Sequence, residues 1–232
     1  MIRNTENTWE RRLEWLERLY DVHEAFVRGL SLHCRAGCAI CCTRSVTVTT
    51  LEAIHIVTRL AARGERHLLE RLQAVSRSER FRPRITLNGL AAVCMNGGQP
   101  PEDPNDPGWG ACPFLEDEHC LIYPIRPFGC RLMVSTGDCA VTGCAEMPDL
   151  TLTVNQVLQQ TIEHADAGGL TGNLIDVLAL AAGDGFPGTY GPGRPLRIGP
   201  DLLKNLPAPI LMAPPAHRET VSAILKSIGL VI

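Results

Sequence analysis

The sequence predicts a mainly α protein in which helices frame a loop-rich, cysteine-bearing core with little or no sheet. Three observations carry that expectation. Apolar residues recur at helical spacing in several segments, two Gly/Pro-rich stretches interrupt them, and nine of the ten cysteines fall in two groups between Cys34 and Cys144.

The first helix rests on Trp9, Leu13, Leu16, Tyr20, Val27 and Leu30, with Arg11, Arg12, Glu14, Glu17 and Arg18 on the other face. Asn7 followed by Glu10 has capping-box spacing. Residues 45–49 are largely β-branched and read as extended. Thr49-Thr50-Leu51-Glu52 reads as a helix start, with Ile54, Val57 and Leu60 as its buried stripe. A charged helix is expected over 65–79, ending before Pro83. Residues 97–110 hold four prolines and four glycines, which exclude regular structure. Helices are expected again over 153–165, 170–182 and 215–228, with a second Gly/Pro-rich loop over 183–200. Three parts follow: an N-terminal amphipathic helix (1–33), a cysteine-cluster core (34–147) and a helical extension packed on it (148–232).

Composition narrows the function classes. A net charge of -3 gives no global pull toward nucleic acid or an anionic membrane, and 5% aromatic residues supply little stacking surface for single strands. No apolar run is long enough to span a bilayer, and the N-terminus lacks the uninterrupted apolar stretch of a signal peptide. The expected setting is therefore the cytoplasm, where thiols stay reduced and ten cysteines point to metal rather than to disulfides.

The first group reads Cys34-x3-Cys38-x2-Cys41-Cys42. Thiolates three or four residues apart on a turn can converge on one metal or cluster, and Gly37 gives the backbone freedom to fold around it. In extended backbone, Cys41 and Cys42 point apart, so one could ligate while the other serves a second metal or packs. The competing reading, buried cysteines as small hydrophobes, fits poorly with four in nine residues. The second group comprises Cys112, Cys120, Cys130, Cys139 and Cys144, spaced more loosely than paired zinc knuckles. Arg126 and Arg131 could offset thiolate charge or bond cluster sulfides, with an ordinary ion pair to Asp or Glu as the alternative.

Taken together, Cys34 to Cys42, then Val48-Thr49-x-x-Glu52, then Cys112-Pro113-Phe114-Leu115, Cys120-x-Ile122-Tyr123, Arg126-Pro127-x-x-Cys130-Arg131 resemble the CxxCxxCC family, also called YkgJ-type cysteine cluster proteins. The resemblance implies a zinc- or iron-chelating domain, similar to flagellin lysine-N-methylase with its iron–sulfur cluster. It further implies a shared set of Cys34, Cys38, Cys41, Cys42, Cys112, Cys120 and Cys130; Cys139 and Cys144 fall near the family's more variable end and are counted as further candidate metal ligands.

Several weaker signals remain. Cys34-x3-Cys38-x2-Cys41 matches the spacing that holds an open-sited cluster in radical SAM enzymes, but Ile40 replaces the usual aromatic residue and no alternating βα pattern follows. Glu52-x-x-His55 has di-iron spacing on a helix, against a helix-capping Glu and an unrelated His. His33 and His119 adjoin cysteines and could supply nitrogen. Cys94 sits among apolar neighbours and is expected to be buried. An enzyme would need a pocket beside the metal, for which Trp109 and Tyr123 are candidates. Two functions follow. One is an iron–sulfur protein, with a cluster of 4Fe–4S type, in a redox, sensing or SAM-linked methyl-transfer role. The other is a zinc-binding structural or metal-handling module without catalysis. Whether the chain is an enzyme, and which protein partner or substrate it meets, stay open at this point.

Overall fold

A computed structural model describes residues 6–35, 37–102, 109–183 and 199–229. Helix α1 (Glu6–Arg28) buries Leu16, Leu19, Tyr20 and His23, which recur at three- and four-residue spacing on one face. Asn7 lies inside α1 rather than ahead of it, and the side chains of Asn7 and Trp9 fall outside the described set. The cysteine loop then leads to strand β1 (Thr47–Thr49) and directly into α2 (Thr50–Ala62). Here the expected capping box is present: Thr49 accepts from the Glu52 N–H at 3.3 Å, and Glu52 accepts from the Thr49 N–H at 2.9 Å.

The charged helix expected over 65–79 is only a 3-10 turn (Arg66–Glu70) and a short α3 (Arg71–Ala74). Arg80 accounts for the break. Its guanidinium collects the carbonyls of Val75, Ser76 and Ser78 while pairing with Asp176 at 2.6 Å, holding them in turns rather than in a continuing helix. Next comes α4 (Leu87–Met95), capped by Thr86 and by Glu163, whose carboxylate accepts from the Leu87 and Asn88 N–H groups. Residues 97–102, 109 and 110 form no helix or strand; 103–108 lie outside the described residues. A tight hairpin of β2 (Leu115–Glu116) and β3 (His119–Cys120) turns through Asp117 and Glu118, both at positive φ. Short helices α5 (Phe128–Arg131) and α6 (Cys139–Thr142) follow, then the long α7 (Asp149–Ala165).

Residues 170–182 are not one helix. They divide into strand β4 (Leu170–Asn173) and helix α8 (Leu174–Ala181), because Thr171 to Asn173 pair with β1 and the Asn173 side chain caps α8 at the Ile175 N–H. Strand β5 (Leu203–Lys204) completes a three-stranded antiparallel sheet in the order β1-β4-β5. A 3-10 turn (Pro215–His217) and α9 (Arg218–Ser227) occupy the span expected as the final helix. The loop expected over 183–200 lies almost wholly outside the described residues. About half of the structure is helical and 8% is strand, so the mainly α class holds.

Two apolar clusters organise these elements. One gathers Val48, Ile56 and Leu60 with Phe114, Ile122 and Ile125 from the hairpin region and Leu174, Val177 and Leu178 from α8. The other joins α1, Leu51, Phe128, α7 and α9. Helix α2 lies between them, which explains why its stripe is wider than Ile54, Val57 and Leu60 alone. Each fully buried Leu or Ile contributes roughly 1.5–3 kcal/mol. The cysteine loops lie at the edge of the first cluster, where Cys112 and Cys120 pack against it.

Candidate metal centre

The first cysteine loop is a run of tight turns. Gly37 takes φ +82°, a left-handed conformation suited to glycine, and the Cys38 N–H returns to the Arg35 carbonyl at 3.0 Å. The Cys42 N–H likewise returns to Ala39 at 2.9 Å. The chain then pairs with the start of the second group: Cys112 donates its N–H to the Cys42 carbonyl at 2.9 Å, Arg44 donates to Gly110, and Thr43 bridges Ala111. That pairing sets Cys42 beside Cys112 across seventy residues of sequence. The β2–β3 hairpin pairs Leu115 with Cys120 and so carries Cys120 back to Cys112. Helix α5 presents Cys130 from across β1. A side chain at Gly129 would meet the Thr47 carbonyl at 2.7 Å, so only glycine permits this approach.

Electrostatics shows these thiols acting on one another. Burial pushes the Cys112 thiol up to about 11, and the neighbouring Cys120 adds to it. Burial raises Cys130 further, helped by Cys112, Cys120 and Cys41. Opposing these effects, the Phe114 N–H bonds to Cys112 and the Ile122 N–H to Cys120, each from two residues onward, and Arg126 favours the charged forms of Cys120 and Cys130. Cys42 is the exception. A hydrogen bond from the Cys41 thiol lowers its pKa and raises that of Cys41. Four partly buried thiols, Cys42, Cys112, Cys120 and Cys130, thus form one neighbourhood.

A second neighbourhood surrounds Cys34. Its thiol is raised by burial and by the charges of Cys38, Cys41 and Cys139. The backbone explains how Cys139 arrives there. The His33 N–H donates to the Ser135 carbonyl at 2.8 Å, Cys34 Sγ lies 4.0 Å from the same oxygen, and His33 Nε2 is 3.4 Å from Asp138 Oδ2. Asp138 caps α6, whose first residue is Cys139. This set is more open, with Cys34 and Cys41 exposed.

Other candidates lie elsewhere. Cys94 is exposed on α4, not buried as its neighbours suggested, because it lies in the last turn, where the helix has run past the core that buries Asn88 and Ala91. Cys144 is exposed just beyond the left-handed Gly143. His119 is engaged by the Asp117 carbonyl at 2.5 Å and His33 by Asp138. Glu52 caps α2, while His55 bonds Glu17 at 3.0 Å, so the di-iron spacing serves packing. Arg131 donates to the Arg126 and Pro124 carbonyls and lies over the Tyr20 ring at 4.3 Å. The exposed Tyr123 carries Arg126 on its ring at 3.8 Å, and Arg126 Nε is buried without a hydrogen-bond partner among the described residues. Sequence reasoning missed Ser135 and Asp138, which bring Cys139 to Cys34; an Asp directly before a Cys, at N-cap spacing, was the available signal.

Soft thiolates in such sets suit zinc or iron, and all ten cysteines are free thiols. Among the described residues, no three Cys, His, Asp or Glu side chains converge closely enough to hold an ion, so these are gathered thiols rather than closed coordination spheres. A mainly α scaffold that draws loop cysteines from both groups together defines a class of metal-binding protein. The chain belongs to the CxxCxxCC family, described as a "Putative zinc- or iron-chelating domain", whose model matches residues 33–156. No curated protein and no solved structure matches it. Among the described residues, no helix is long and apolar enough to cross a membrane.

Proposed function

We propose that this metal-binding chain holds iron as an iron–sulfur cluster in a redox or sensing role. The observation that carries the reading is the Cys34-x3-Cys38-x2-Cys41 loop, met by Cys139 from α6, with the residues Cys34 and Cys41 exposed. Three closely spaced thiolates on one loop suit a cluster, and its exposure suits exchange of electrons with a partner. When bound, such a cluster supplies one-electron chemistry. The chain's own residues supply the thiolates of Cys34, Cys38, Cys41 and Cys139, and the positive charge of Arg126 favours the charged form of Cys41.

A zinc module is the second reading, and the other four thiols favour it. Cys42, Cys112, Cys120 and Cys130 are partly buried, and Cys112 and Cys120 accept from backbone N–H groups and pack on the core. A closed four-thiolate zinc site would fasten the loops and catalyse nothing. Metal and acid-labile sulfide analysis of protein purified without oxygen separates the two. Iron with matching sulfide and visible colour supports the cluster. Stoichiometric zinc without sulfide in a colourless protein supports the module and sinks the redox role.

A further inference from the structure

We propose that the cysteine core holds two separate metal centres, divided between the adjacent residues Cys41 and Cys42. The inference deepens the metal-binding reading and rests on it. An inner centre takes Cys42, Cys112, Cys120 and Cys130. An outer centre takes Cys34, Cys38, Cys41 and Cys139.

Two separate sets of backbone contacts assemble these fours. The inner set depends on the Cys112 N–H bound to the Cys42 carbonyl, on the Leu115–Cys120 hairpin pair, and on the close crossing of Gly129 over Thr47. None of these contacts touches residues 33–38 or 135–139. The outer set depends on the His33–Ser135 hydrogen bond, the His33–Asp138 contact and the Asp138 cap of α6. The hydrogen-bonded thiols of Cys41 and Cys42 mark the boundary.

Donor counting agrees with the division. A structural tetrahedral site takes four thiolates, and so does a four-cysteine cluster. Eight gathered thiols therefore exceed one centre and match two. Burial differs between them: all four inner cysteines are partly buried, whereas the outer set joins the partly buried Cys38 and Cys139 to the exposed Cys34 and Cys41. The outer centre should exchange its metal faster.

The test is a titration of reduced, metal-free full-length protein with Co2+ alone, under nitrogen. Sulfur-to-cobalt charge-transfer bands report thiolate coordination. The expected result is two equivalents per chain, one for each set of four thiolates, with one stripped faster by a mild chelator. The double variant Cys34→Ser, Cys139→Ser should keep only the slowly exchanging equivalent. Cys112→Ser, Cys130→Ser should keep only the fast one. One equivalent in the parent, abolished by either double variant, overturns the division while leaving metal binding intact. No thiolate-bound cobalt in the parent overturns metal binding itself. Should the inner variant fail to fold by circular dichroism, the outer variant decides: one slow equivalent supports two centres, and two or none overturns them.

Discussion

Glu52 shows how one side chain joins the scaffold to the cysteine core. Its buried carboxylate accepts from the Thr49 N–H and hydroxyl, the Tyr20 hydroxyl at 3.1 Å and the Phe128 N–H at 2.7 Å. Burial raises its pKa, and those donors oppose the rise. Replacing Glu52 with Ala strands donors on three elements and should cost roughly 3 kcal/mol, read as a lower Tm. Metal affinity should fall as well, because the Phe128 N–H sits at the start of the helix that carries Cys130. His23 gives a pH signature. Burial lowers its pKa from 6.5 to about 4, with Asn155 Oδ1 accepting from the ring Nε2–H at 2.9 Å. The unfolded chain therefore binds a proton that the folded chain refuses between these values, so this contribution to stability is lost as pH falls from 6.5 toward 4. A shift of that size amounts to roughly 3 kcal/mol. Glu163 acts in the opposite direction: raised by burial to about 7, it favours folding as pH falls from 7 toward 4.5. The His23 part is isolated by comparing denaturant unfolding of the parent and His23→Gln across pH 4 to 7. Stability of the variant should depend less steeply on pH, and identical profiles would remove His23 from the account.

At the scale of elements, much was legible where a short sequence signal and a short-range interaction coincide. Thr49 to Glu52 announced both a strand end and a capped helix, and Leu16 and Tyr20 announced the buried face of α1. Residues 170–173 gave no such signal, since Leu-Thr-Gly-Asn lacks alternation and becomes a strand only through pairing with β1. Helix α4 escaped notice because Leu87 to Met95 is apolar with little periodicity, and its N-terminus is held by the distant Glu163. The cysteines themselves were plain, because ligand pairs close in sequence must share a turn. Their sorting was not, because it depends on Cys42 meeting Cys112 and on His33 meeting Ser135. The crossing of α5 over β1 can be tested directly. Gly129→Ala places a methyl group against the Thr47 carbonyl, which should cost about 1–3 kcal/mol by overpacking and weaken metal binding by displacing Cys130. An unchanged Tm and metal content would show that the strand and helix separate at little cost.

For the whole molecule, the two apolar clusters set what metal can and cannot do. The cluster of α1, α7 and α9 meets the thiols through α5, where Phe128 precedes Cys130, whereas the cluster that includes Phe114 and Ile122 packs directly against Cys112 and Cys120. Removing metal with a chelator under reducing conditions should therefore lower the Tm while most helical circular dichroism persists at low temperature. Complete unfolding would mean that metal supports both clusters. Cys130→Ser should lose metal and stability together, and the exposed Cys94→Ala should retain both. The central claim is that loop cysteines are the metal's ligands, and X-ray absorption at the edge of the bound metal tests it most directly. The account predicts a first shell of sulfur alone, at about 2.3 Å if the metal is zinc; a shell dominated by nitrogen or oxygen near 2.0–2.1 Å would contradict it.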